Sequence, residues 1–64
     1  MTLSALDKEM QLIEAVKSGD LNEVSFLIKK GADVRLASDV DNRTARDIAE
    51  EMGFKSIVKR LDLA

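Results

Sequence analysis

The chain has no cysteine, histidine, proline, tryptophan or tyrosine among its 64 residues, and two phenylalanines are its only aromatics. Without cysteine there is no disulfide framework, thiol nucleophile or thiolate metal site, and the redox compartment cannot be read from thiol usage. Without histidine the chain lacks the side chain best suited to move protons near neutral pH. No apolar run approaches the roughly 18 residues of a membrane span. The segment from Met1 to Met10 has neither the basic start nor the apolar middle of a signal peptide. A soluble intracellular protein, cytoplasmic by default and without a membrane partner, is the resulting expectation. Ten basic and twelve acidic residues are interspersed to a net charge of −2, which creates no field that would gather nucleic acid or anionic lipid.

What is present is a helical inventory of Leu, Ile, Val, Met and Ala within a hydrophobic fraction of 45%. A chain this short buries only about 60% of the surface its unfolded form exposes, so its stability is expected to be marginal. Ser4 followed three residues later by Asp7 reads as a capping box, predicting a first helix to about Lys17. Leu6, Met10, Ile13 and Ala5, Leu12, Val16 recur at three-, four- and seven-residue spacings, with Lys8, Glu9, Gln11, Glu14 and Lys17 taking the remaining positions. Ser18, Gly19 and Asp20 break the pattern, and Asp20 with Glu23 opens a second helix whose apolar residues are Leu21, Val24, Phe26, Leu27 and Ile28. Lys29 and Lys30 suit its negative end and Gly31 stops it.

From Gly31 to Arg43 the helical period disappears and Asp33, Ser38, Asp39, Asp41 and Asn42 mark turns. Thr44 with Asp47 caps a third helix, Gly53 breaks it, and Phe54 to about Leu61 forms a fourth. The predicted order is helix pair, loop, helix pair, within one domain spanning residues 1–64. An offset of 34 residues superposes Asp7 on Asp41, Ala15 on Ala49, Gly19 on Gly53, Val24 on Val58 and Leu27 on Leu61.

On these residues the chain resembles the ankyrin-repeat family. The segment from Leu12 to Leu21 is similar to the family's first helix and turn, and Gly31-Ala32-Asp33-Val34 matches its G-A-D-V loop start. Thr44 to Ala49 stands where the family has T-P-L-H-x-A, keeping the Thr and the final Ala. The resemblance covers roughly Met10 to Leu61. It implies an all-α fold of two stacked helix-turn-helix ankyrin-type repeats, about 5–38 and 39–64, joined by an extended hairpin-like loop. The loop is one residue longer than usual in the family, and Asn42 stands where a turn Gly is common; Asn is the next best residue for a left-handed backbone.

The two repeats are polar at different slots. Glu14 and Glu23 match Ile48 and Ile57, whereas Arg46, Arg60 and Asp62 match Leu12, Phe26 and Ile28. Polar outer faces at opposite ends are what an N-terminal and a C-terminal capping repeat stacked directly would show, so a complete miniature stack is expected. Either Leu3, Leu6 and Met10 add buried area ahead of the repeat proper, or a partner completes the core.

Ankyrin-like proteins generally bind other proteins through the hairpin tips and the exposed side of each first helix. Carried onto this chain, that implies Lys17, Leu36, Val40, Asp41, Arg43, Arg46, Asp47, Glu50 and Glu51 as partner-binding residues. Leu36 and Val40 are apolar on a polar loop, and either pack back on the helices or meet a partner. Arg43, Arg46 and Asp47 either make specific charged contacts or form local ion pairs on a solvated face. Lys55, Lys59 and Arg60 read as compensation of a helix dipole. Glu50 and Glu51 are adjacent on a helix and do not face each other, and Asp39-Val40-Asp41 lacks the remaining ligands of a calcium loop. No catalytic, cofactor or metal site is expected, and the function expected is a non-catalytic protein-interaction module, as a monomer or small oligomer. The competing expectation is a structural or self-associating subunit that uses a stacking end, with Leu6, Met10 or Phe54 as its sensitive positions.

Overall fold

Several of the helix ends are set by residues whose chemistry starts or stops a helix. The computed structural model describes residues 7–36, 38, 39 and 41–63, and over these the chain is all-α: α1 Asp7–Ser18, α2 Leu21–Lys29, α3 Ala45–Glu51 and α4 Lys55–Asp62. Asp20 accepts the Glu23 amide at 3.1 Å, and Thr44 and Asp47 form a reciprocal capping box. Both caps satisfy amides that the first helical turn leaves without partners. The proposed Ser4 cap lies outside the described residues. Phe54 caps α4 through its backbone position alone, without a side-chain hydrogen bond.

The turns after α1 and α3 are the same structure built twice. The Gly19 amide donates to the Val16 carbonyl and Asp20 to Ala15, both at 3.0 Å; the Gly53 amide donates to Glu50 at 3.1 Å and Phe54 to Ala49 at 2.9 Å. Such a pair of bonds closes a helix through one left-handed residue. Gly19 and Gly53 accordingly have φ of +72° and +76°, a conformation a β-carbon would strain.

α1 packs on α2 and α3 on α4, forming two helical hairpins, and the hairpins stack through α1 against α3 and α2 against α4. Leu12, Ile13, Ala15, Val16, Val24, Leu27, Ala32, Ala45, Ile48, Ala49, Ile57 and Leu61 make one buried core between them. Residues 34 apart differ in burial in a consistent sense. Leu12 and Val16 are fully buried, while their counterparts Arg46 and Glu50 are exposed; Ala45, Ile48 and Ile57 are buried, while Gln11, Glu14 and Glu23 are exposed. The apolar slots face inward between the hairpins, and polar residues take the same slots at both outer ends.

Two positions depart from the helical pattern read in the sequence. Met10, assigned to the apolar face, is 62% exposed, and Glu9, assigned to the polar face, is 6% exposed. Glu9 falls on one stripe with Leu12, Ile13 and Val16, at three, four and seven residues. Its carboxylate accepts the Asp33 amide at 2.6 Å, fastening the start of the loop to α1; its other oxygen has no hydrogen-bond partner among the described residues. Met10 therefore adds no buried area to the stack, and Leu3 and Leu6 lie outside the described residues. Phe26, one of the apolar residues of α2, is half exposed with the Lys30 ammonium 5.0 Å from its ring centre.

Candidate functional site

The loop between the hairpins is organised around Asp39. Its carboxylate accepts the backbone amides of Asp41 at 2.9 Å and Arg43 at 3.0 Å, so a single side chain supports the turn in which the Asn42 amide bonds the Asp39 carbonyl. Asn42 adopts φ +63°, the left-handed conformation its side chain tolerates. One antiparallel bridge, between Ser38 and Thr44, closes the base of the turn, and no strand forms among the described residues.

Arg43 completes the turn. Its guanidinium contacts Asp39 through Nε at 3.2 Å and Nη2 at 3.0 Å, stands 3.8 Å from Asp41, and bonds Glu51 of α3. The turn is thereby tied to α3. The bond from the Arg43 amide, with the guanidinium beside it, holds the Asp39 carboxyl below its ordinary value of 3.8, against the opposing effect of its partial burial. A carboxyl lowered in the folded state contributes stability that is present above the ordinary value and lost as pH falls through the lowered one. Below about pH 4, then, the Arg43 and Asp41 amides should lose hydrogen-exchange protection before those of Val24 or Ile48, which is measurable by nuclear magnetic resonance; simultaneous loss would contradict this role for Asp39.

A groove of about 320 Å³ runs between α1 and this loop, lined by Met10, Ile13, Glu14 and Lys17 on one side and Ser38 and Asp39 on the other. Of the residues expected to bind a partner, Lys17 lies in this groove, and Asp41, Arg43 and Glu51 lie in the ion-pair cluster that borders it at Asp39. Leu36 is 57% exposed and does not fold back on the helices. Val40 lies outside the described residues.

Arg46, Glu50 and Asp47 belong elsewhere. Arg46 forks onto Asp62 of α4, Nε to Oδ1 at 2.6 Å and Nη2 to Oδ2 at 3.4 Å, and pairs with Glu50 at 3.1 Å. Arg46 and Glu50 stand at the slots of buried Leu12 and Val16, which puts them on the outer end of the second hairpin. Asp47 is engaged in the Thr44 cap. Met10 is the groove residue that sequence reasoning missed as a surface group. The usable signal was that Glu9, rather than Met10, continues the Leu12 and Val16 stripe.

No family model matches the chain, and no curated protein or solved structure matches it either. The geometry therefore has to carry the functional reading. Among the described residues no group of three or more acidic side chains is placed to hold a metal ion, and no helix is long and apolar enough to cross a membrane. The groove offers one exposed thioether chain, one aliphatic wall, one cation and two carboxylates. That mixture suits an apolar anchor with charged flanks, the usual composition of a protein contact.

Proposed function

We propose that the chain is a non-catalytic, ankyrin-type interaction module that binds a protein partner through the face formed by α1 and the inter-hairpin loop. The observation that carries this reading is the groove between α1 and the loop, with Met10 exposed along one side and the exposed Lys17 and Glu14 providing opposite charges. Two helical hairpins agree with the resemblance seen in the G-A-D-V and T-A-R-D-I-A segments. Exposed apolar groups on a rigid scaffold are characteristic of surfaces that bind. The polar outer ends speak against the stacking ends as the main interface.

Affinity capture from a cell lysate with the whole chain as bait tests the reading. Met10→Asp and Lys17→Glu should each weaken retention of the captured protein by about tenfold or more, the loss of one central contact. Each should cost no more than about 1 kcal/mol in a urea titration, because both side chains are exposed and only helix propensity and the α1 dipole are affected. Arg60→Ala, on α4, serves as the comparison and should retain the partner. Capture that ignores the first two changes, or no specific capture at all, would remove this face from consideration.

A further inference from the structure

Positive charge is gathered on the layer that α2 and α4 form. α2 and its C-cap carry Lys29 and Lys30 against Glu23, and α4 carries Lys55, Lys59 and Arg60 against Asp62, so this layer has a net charge of +3 in a chain of −2. The rest of the chain accordingly holds −5. Such a separation of charge sets up a field that a matched partner can use.

Most of these cations share one exposed face. On α2, Asn22, Phe26, Lys29 and Lys30 follow at spacings of three and four and point away from the buried Val24 and Leu27; on α4, Ser56, Lys59 and Arg60 point away from Ile57 and Leu61. Phe26 and Arg60 hold corresponding slots on two helices that pack together, which joins the stripes into one surface. No carboxylate belongs to it. Glu23 holds the slot of buried Ile57 and turns to the outer end of the first hairpin, and Asp62 is forked onto Arg46. Among the described residues Lys29, Lys30, Lys59 and Arg60 make no ion pair, although acids outnumber bases in the chain, whereas Arg43 and Arg46 each pair with at least two carboxylates. Compensation of the helix dipoles explains cations in the last turns, but it would also place acids in the first turn of α4, which has none. Nor does it explain why Phe26 stands half exposed among them, with the Lys30 ammonium beside its ring.

We propose that this face of α2 and α4 is a docking site for a short acidic segment of a partner protein, which sets an apolar side chain on the Phe26 ring and carboxylates against the cations around it. Charge complementarity selects the acid, and the open ring selects the apolar residue. Helices of nine and eight residues run for about 12–14 Å, the length of roughly four extended residues. A nucleic acid or an anionic bilayer would extend beyond the face and meet the −5 of the rest of the chain, whereas a segment this short ends with it. A second copy has few carboxylates to offer, since Asp20 and Asp47 cap helices and Asp39, Glu50, Glu51 and Asp62 pair with arginines. The face is separate from the groove between α1 and the loop, and neither site depends on the other.

The test is a titration of the full chain with an acetylated, amidated hexapeptide of two leucines flanked on each side by two glutamates, followed through the backbone amide resonances. A few exposed ion pairs and one apolar contact support a dissociation constant on the order of one millimolar. Shifts are expected at Phe26, Lys29, Lys30 and Arg60, and binding should weaken at least about tenfold when salt is raised to about 0.5 M. A peptide with glutamine for each glutamate should leave the resonances in place, and one with serine for each leucine should bind at least about threefold more weakly. In the chain, Lys29→Gln together with Lys30→Gln should weaken binding at least about threefold, and so should Arg60→Gln, whereas Lys8→Gln, exposed on α1, should not change it. Glutamine keeps the helix propensity, and Lys59→Gln stands in for a variant that loses its cooperative transition. Shifts centred on other residues, equal binding of the glutamine peptide, or binding indifferent to the chain variants would overturn the proposal. So would retention on vesicles of phosphatidylserine and phosphatidylcholine, or shifts with a single-stranded oligonucleotide, at concentrations where the peptide leaves the face unchanged. A mass that rises with concentration and falls with salt in sedimentation equilibrium would assign the face to a second copy and overturn it too.

Discussion

Val16→Glu should abolish the cooperative helical unfolding transition, while Glu50→Val, at the slot 34 residues later, should leave it in place. Val16 has no exposed surface and lies within the core that the two hairpins share. A carboxylate there would be stripped of water without a cation to meet it, and the effective penalty of burying one ion is several kcal/mol. A domain of this length has only about 3–10 kcal/mol of stability in total. Glu50 is exposed, and its pairing with Arg46 is of the surface kind that contributes about 0–1 kcal/mol. Urea titration followed by far-ultraviolet circular dichroism reads both variants. A Val16→Glu chain that unfolded near the wild-type midpoint would mean that the hairpins do not stack through this position in solution.

Leu12→Ala should cost about 2–5 kcal/mol, the range for deleting a buried leucine side chain and leaving a cavity. Phe26→Ala, although it removes a larger side chain, should cost less, because Phe26 is already half exposed. The order of the two midpoints is the informative result. Side-chain size and the apolar pattern of α2 place Phe26 first, whereas the packing of α1 against α3 places Leu12 first. Equal or reversed losses would show that the ring of Phe26 is covered in solution by something other than Lys30.

The candidate binding face was legible in part. Lys17, Asp41, Arg43 and Glu51 were named through the resemblance to ankyrin-like proteins, and the structure puts Lys17 in the groove and the other three in the ion-pair cluster beside it. By residue type Glu50 was indistinguishable from them, whereas Arg46 was already set apart by its match to Leu12. Their position on the outer end follows from the stack, where they occupy the slots of buried Leu12 and Val16. Asp47 illustrates a different limit, since the same carboxylate that suggests a contact also completes the Thr44 capping box, and the local hydrogen bonds are already made.

Met10 and Glu9 mark the point at which residue polarity misassigned a face that the helical period had placed, since Glu9 continues the stripe of Leu12, Ile13 and Val16. Charge argues for water, yet burying Glu9 lets its carboxylate accept the Asp33 amide, a group 24 residues away that no local pattern brings into range. Exposing Met10 leaves a flexible apolar chain at the edge of the groove, where a partner can use it.

The order of helices, their caps and their turns were determined by the sequence alone, because each depends on interactions within a few residues: Asp20 with Glu23, Thr44 with Asp47, and the glycines at 19, 31 and 53 in left-handed turns. The pairing of the helices into two hairpins followed from the short links between them. Which slots became core, which became polar ends, and which turn received a ring depended on contacts between residues far apart in the chain. Phe54 rests on Gly19 and leaves the space at Gly53 open because one hairpin follows the other in the stack and none of the described residues covers the second. That asymmetry belongs to the tertiary structure, since the two glycine turns are locally the same.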